Sequence, residues 1–558
     1  MDYHTNRPAA HWILALSLAF TVLCGASAQN KQPNILWLVA EDLSPVIPPF
    51  GDSTIQTPHL SRLADEGVRY TNVYSICGVC SPSRAALATG MYPTRIGAQH
   101  MQIGNIPREM MDNPMVIKFI RQYMPEGLDP YEVVPPPEVK LHSEFLRERG
   151  YYCTNNVKED YQFKSSPFSW DESSETAHWR NRKKDQPFFA IFNFMVTHES
   201  RIWMKAQDSL WMDPDQEVPV PSYLPDNEVS KTDIRRMYSN VAEMDHRVGE
   251  LLAELEEDGE LENTIVVWYT DHGGPLPRQK RLLYDSGMKV PMIVRFPGSC
   301  LAGTVDDRLI SFVDFAPTLL SQAGIEPPDY MDGQAFDGKY KATNDRTYVH
   351  GASDRFDKHA DMIRAVRNGQ FKYLRNYRPE QGYYLPLSFR EQMPVMQEMI
   401  RLRDAGELKY PQDLWFRTSK PEEELFDCLN DLNELKNLAG DPAYEDILLE
   451  LRTECDRWIT EVDDKGFMDE QDMVRELFWK DGVQPVTGDP KIISGDQGLE
   501  IVTSETGSYL GYQIVENGES AGNHWEIYTG PVKVNLEQQL LAIAHRKGYL
   551  PSGIVTWK

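Results

Sequence analysis

The chain has 558 residues, 41% of them apolar and 25% charged, with a formal net charge of −27. That length exceeds one compact domain and is enough to bury a large core, so two or three structural units are expected and disorder over most of the chain is excluded. The acidity excludes a nucleic-acid binder, which needs clustered Lys and Arg, but leaves room for a small-anion site served by a few cations in one cleft.

The first element in chain order is an address. Arg7 precedes an apolar stretch over residues 12–23, followed by Gly25-Ala26-Ser27-Ala28. This is the basic, apolar and small-residue succession of a secretory signal peptide, residues 1–28. It predicts a secreted or periplasmic mature protein starting at Gln29. No stretch is long and apolar enough for a membrane span, and the Thr-Val-Leu before Cys24 lacks the small residue of a lipoprotein signal. Of the seven cysteines, the six beyond the signal (Cys77, Cys80, Cys153, Cys300, Cys428 and Cys455) are too scattered for a disulfide scaffold. Cys77-Gly-Val-Cys80 has no second such pair and no paired His, which speaks against zinc. Cys77 itself reads as a small packed residue.

Residues 34–40 form an apolar run of strand length that ends in Glu41-Asp42. A short helix follows over 57–67, with Thr57 as cap, Pro58 in the first turn and Leu60, Leu63 and Ala64 on one face. Residues 188–196 and 264–270 are further apolar runs, ending in Thr197-His198 and Asp271-His272-Gly273-Gly274. Runs apolar on both faces read as buried parallel strands, and with helices between them as an α/β layered unit. Ligands of such sheets bind beyond the strands' carboxyl ends, where three strand ends here deliver a carboxylate or an imidazole. A strand over 290–296 and a helix within 312–323 complete this unit, residues 29–345. Short strands (363–366, 371–375) and amphipathic helices (396–403, 447–462) predict a smaller α+β unit over 346–480. Alternating patterns at 499–503, 509–514, 525–528, 540–544 and 554–556 predict a small β-sandwich module over 483–558.

Cys80-Ser81-Pro82-Ser83-Arg84 is the sharpest feature. Ser81 as cap and Pro82 in the first turn start a helix, which places Cys80 where backbone N–H groups and the dipole favour an anion. Arg84 follows one turn later on the same face. On generic grounds a buried Cys beside a surface Arg is commoner than a nucleophile.

Cys80-x-Pro82-x-Arg84 resembles the signature that marks type I sulfatases for oxidation of the cysteine to formylglycine. Pro33-Asn34-Ile35-Leu36, Glu41-Asp42-Leu43, Thr57-Pro58-x-Leu60-x-x-Leu63-Ala64-x-x-Gly67 and Thr89-Gly90-Met91-Tyr92-Pro93 are similar, in order, to the family's N-terminal motifs. Asp271-His272-Gly273 resembles its second metal motif, and Lys280 with Tyr284-Asp285-x-Gly287 its sulfate-binding stretch. The resemblance spans residues 31–470 and is strongest to the sulfamidase-like and iduronate-sulfatase-like branches. It implies an alkaline-phosphatase-like fold, with a mostly parallel central sheet flanked by helices.

The resemblance also implies a division of labour. Glu41, Asp42, Asp271, His272 and the formylglycine at position 80 would ligate one divalent cation, Ca²⁺ ahead of Mg²⁺. One hydroxyl of the hydrated aldehyde attacks sulfur and the alcohol or amine departs; the second hydroxyl then expels sulfate and restores the aldehyde. Asp271 helps deprotonate the nucleophile, Arg84, Lys158 and Lys280 orient the sulfate, and His198 protonates the leaving group. The substrate would be a sulfated saccharide, O- or N-linked. The partner would be a formylglycine-generating or anaerobic sulfatase-maturating enzyme. Three departures stand out: Glu41 where many members have Asp, His272 where many have Asn, and Asp160 where many have His two residues after the Lys. The last leaves the base that expels sulfate open, with His100 as a stand-in. The competing readings are a phosphoester hydrolase of the same superfamily and an inactive sulfated-glycan-binding homologue.

Overall fold

The computed structural model describes residues 32–101 and 113–557; the expected signal peptide lies outside them. The central sheet contains β1 (Asn34–Ala40), β2 (Val68–Tyr74), β3 (Tyr152–Asn156), β4 (Glu172–Ser173), β5 (Phe188–Phe194), β6 (Thr264–Thr270), β7 (Lys289–Arg295), β8 (Thr304–Asp306) and β9 (Ile310–Ser311). Its order is β4-β3-β5-β1-β6-β7-β2-β8, with β9 paired to β2. The three apolar runs are neighbours: β1 lies parallel between β5 and β6. Only β7 runs antiparallel to both of its neighbours, β6 and β2. The sheet is therefore mixed and mostly parallel.

β1 is buried along its whole length, and its period of two sends side chains to opposite layers. Ile35, Trp37 and Val39 join one core, Leu36, Leu38 and Ala40 the other. The first layer is closed by α2 (Cys80–Thr89) and by Phe315, Leu319 and Leu320 of the helix Phe315–Gln322. The second is closed by α1 (Pro58–Asp65) and by the long helix α3 (Glu228–Glu257), which presents Ile234, Val241, Met244, Val248 and Leu252.

Beyond the central unit, strands Val349–Ser353, Ile363–Arg367, Phe371–Asn376 and Glu423–Asp427 form an antiparallel sheet. Leu451 and Cys455 of the helix Glu445–Glu461 pack on it. The C-terminal segment makes two antiparallel sheets, a pair (Lys491–Gly495, Gly498–Val502) and a four-stranded one, which share a core of Ile492, Leu499, Ile501, Leu540 and Ala542. The strand Lys491–Gly495 was not expected, because only Ile492 of its five residues is buried and the alternation is too weak. This segment rests on the central unit through Phe168, Trp525, Leu541 and Ile543 and through a buried Lys547–Glu144 ion pair at 2.8 Å. Among the described residues no helix is long and apolar enough to cross a membrane.

Candidate active site

The carboxyl ends of β1, β5 and β6 are stitched to one another. Asp271 N donates to Ala40 O (3.1 Å), Asp42 N to Asp271 Oδ1 (3.0 Å) and Glu41 N to Thr197 Oγ1 (3.1 Å). Asp42 adopts φ 47°, a left-handed conformation that non-glycine residues rarely take and that concentrates at functional sites.

α2 arrives at the same edge with Cys80 as its first residue and Val79 as the cap. The sequence expectation put the cap at Ser81. Its hydroxyl instead donates to Asp160 Oδ1 at 2.5 Å, because the helix already begins two residues earlier than that cap implies. Arg84, one turn on, reaches three partners: Nε meets Asp271 Oδ2 at 3.3 Å, Nη1 meets Asn193 Oδ1 at 2.9 Å and Nη2 pairs with Glu41.

Around the Cys80 sulfur lie His272 Nε2 at 3.4 Å, Glu41 Oε2 at 3.9 Å and Asp42 Oδ1 at 4.0 Å. Potential metal donors form two overlapping groups that share Asp42 and Cys80, one completed by Glu41 and His198, the other by Asp271 and His272. His272 Nε2 is 3.1 Å from Asp42 Oδ1 and 3.7 Å from Asp271 Oδ1. Donors at right angles around one ion with bonds of about 2.4 Å are ~3.4 Å apart, so these spacings fit a single divalent cation. His272 Nδ1 faces Gly273 O at 3.0 Å, which leaves Nε2 as the ligating atom. Burial works against a charged His272, yet Asp271 and Asp42 push its pKa up to about 10: this is a place that attracts positive charge. Glu41 also accepts from Lys158 Nζ at 2.5 Å, so both of its oxygens are already engaged by cations.

Lys280 Nζ donates to Asp42 Oδ2 at 2.6 Å and lies 3.1 Å from Glu199 Oε1 and 3.3 Å from His198 Nε2. Burial and then Lys280 push His198 down to about 3, so the imidazole is neutral in the resting site. Burial opposes ionisation of Asp42, but Lys280, His198 and His272 together outweigh it and hold the carboxyl well below its ordinary range.

Structure therefore brings Glu41, Asp42, Cys80, Arg84, Lys158, His198, Asp271, His272 and Lys280 into one connected cluster. His100 contacts others: Gln99 at 3.4 Å, Arg355 N at 3.4 Å and Glu470 at 3.9 Å. Asp160 is better placed than His100, bonded to Ser81 next to Cys80 and 4.0 Å from Lys158 Nζ. Sequence reasoning missed Asn193, which holds Arg84, and the buried Glu199–Arg281 pair (3.0 and 2.6 Å). Glu199 and Arg281 follow His198 and Lys280 directly; adjacency was the one available signal, and it does not separate a buried pair from two surface charges.

Comparison with known proteins addresses the family and the fold. The sulfatase family model matches residues 33–123 and 143–325, and the model described as N-sulphoglucosamine sulphohydrolase, C-terminal, matches 278–399. The chain is 50% identical to an ulvan-active sulfatase of Formosa agariphila, over 94% of this chain and 90% of that protein. It is 25% identical to human N-sulphoglucosamine sulphohydrolase over 79% of this chain and 92% of that one. A solved structure of a protein in complex with its substrate D-glucosamine-2-N,6-O-disulfate shares the fold (TM-score 0.55, 17% identity, 79% of this chain and all of that one). So does a phosphonate monoester hydrolase from Silicibacter pomeroyi (TM-score 0.52, 17% identity, 78% of this chain and 97% of that one). The fold alone thus does not choose between sulfur and phosphorus; the half-identical relative and the family model do. The chain belongs to the sulfatase family, as a sulfuric ester hydrolase of the alkaline-phosphatase-like superfamily.

Proposed function

We propose that this protein is an exported, Ca²⁺-dependent sulfatase that removes sulfate from a polysaccharide through a formylglycine made from Cys80. The observation that carries the proposal is the position of Cys80. It is the first residue of a buried helix, facing Asp42 and His272, with Arg84 one turn away. The basic and apolar start of the sequence supports export. The name of the half-identical relative supports ulvan as the substrate, and the sulphohydrolase C-terminal match supports a sulfamate as the second reading.

When bound, Ca²⁺ supplies positive charge opposite the sulfuryl oxygens, held by Asp42, Asp271, His272 and residue 80 with Glu41 alongside. The hydrated aldehyde of residue 80 supplies the attacking hydroxyl, and α2 directs its N–H groups toward the anion. Arg84, Lys158 and Lys280 receive the remaining sulfate charge, each fixed in advance by a carboxylate so that little reorganisation is needed. A sulfate ester beside Lys280 offsets the cation that, together with burial, keeps His198 neutral. The imidazole can then carry a proton to the departing oxygen.

Mass spectrometry of the Cys80 peptide from the native host should show the aldehyde in place of the thiol. Ion chromatography should show sulfate released from ulvan or from N-sulfated glucosamine. An unmodified thiol with retained glycan binding would favour the inactive homologue, and faster turnover of aryl phosphate than of aryl sulfate would favour the phosphoester reading.

A further inference from the structure

Arg390 breaks a rule that the other buried arginines keep. Each of those either meets a carboxylate, as Arg281, Arg355 and Arg364 do, or gives both terminal nitrogens to carbonyls, as Arg236 and Arg278 do. Arg390 is 3% exposed and has one hydrogen bond among the described residues, from Nη2 to Leu385 O at 2.5 Å. Its Nε is buried without a partner, although a guanidinium carries five N–H donors. Its flat face is occupied, with the guanidinium carbon 4.6 Å from the Trp415 ring centroid and 5.5 Å from that of Tyr384. Of its donating edge only Nη2 is engaged among the described residues, and Nε is left without a partner.

The group stands beside the catalytic cluster. The preceding Phe389 has its ring 6.3 Å from His198 and 5.2 Å from Trp203. After burial, the largest influence on Arg390 is repulsion from Arg281. The two acids that act on it are committed elsewhere, Glu199 to Arg281 and Lys280 and Glu391 to Tyr384. A buried charge with no partner is expensive, and a burial of 3% is also what Lys280 shows at the sulfate site.

We propose that Arg390 receives a second anionic group of the substrate, a carboxylate or a further sulfate on the saccharide that carries the scissile sulfate. The inference rests on the sulfatase reading and adds a specificity element to it. It makes the enzyme selective for sugars that bear two anions rather than one.

Three substrates test it with the matured enzyme: a monosulfated methyl glycoside, the same sulfated sugar linked to a hexuronic acid, and a disulfated sugar. The wild type should favour the second or third over the first by roughly 10- to 100-fold in kcat/KM, the scale of one charge-assisted hydrogen-bonding partner. Response of the uronate arm alone identifies a carboxylate, and of the disulfated arm alone a sulfate. Arg390→Met should collapse that preference mainly through KM, and Arg390→Lys should keep part of it. Equal wild-type turnover of all three overturns the subsite whether or not the variants fold, and so does a parallel loss on all three in Arg390→Met. Sulfate release from none of them sinks the sulfatase reading itself and the subsite with it.

Discussion

Glu199 grips Arg281 through two hydrogen bonds of 3.0 and 2.6 Å, while its own backbone N–H donates to Asp42 Oδ2 at 2.7 Å. One residue thus ties a buried guanidinium to the Asp42 carboxylate. Burial opposes its charge, yet Arg281 and Lys280 bring its pKa down to about 2. Glu199→Gln keeps the shape and leaves Arg281 unpaired, a loss of about 3–5 kcal/mol. The thermal midpoint should drop by several degrees, and aryl sulfate turnover should fall at least tenfold. A midpoint within one degree of wild type would show that the pair is dispensable.

Cys80→Ala should lower turnover at least about 1000-fold, because it removes the side chain from which the proposed nucleophile is made. The sulfur touches its neighbours only at 3.4 to 4.0 Å, so melting temperature and saccharide affinity by calorimetry should stay near those of the matured enzyme. Residual activity above a few per cent would place the nucleophile elsewhere.

Chelation should lower both activity and stability, since it leaves Asp42 and Asp271 facing each other in a fully buried site. At a hundredfold excess of ion over Kd the stabilisation is about 2.7 kcal/mol. EGTA should shift the melting curve down, and Ca²⁺ should restore it further than Mg²⁺. A melting curve and turnover indifferent to EGTA would remove calcium from the account.

Asp233 of α3 accepts Val395 N at 2.7 Å, at the start of the helix Pro394–Asp404. Burial pushes its pKa up to about 7 from an ordinary 3.8. A value raised by folding means that the contribution to stability is complete below pH 3.8 and is lost as pH rises through 7, where the buried charge costs up to about 4 kcal/mol. Asp233→Asn should therefore melt above wild type at pH 8 and converge with it near pH 4. A difference of the same size at both values would dismiss the buried charge.

Local order was legible where local physics decides it. β1, β5 and β6 are apolar on both faces because both faces are covered, and such runs declare themselves as strands in any context. Cys80 and Arg84 share a helix face by spacing alone. β7 carries the same apolar signature, and nothing local distinguishes its antiparallel direction, which follows from how the chain returns to the sheet.

The sequence by itself determined which residues end the strands and that a helix starts beside Cys80, because these depend on neighbours within a few positions; that its first residue is Cys80, with Val79 and not Ser81 as cap, came from the fold. Which cation meets which carboxylate was decided only in three dimensions. Lys280 and Asp42 are 238 positions apart and Lys158 and Glu41 are 117, and no periodicity carries information across such gaps. The same holds for Arg390, whose want of an anion is visible only once the burial around it is known. A charge in a sequence is just a charge; folding gives it a partner or withholds one.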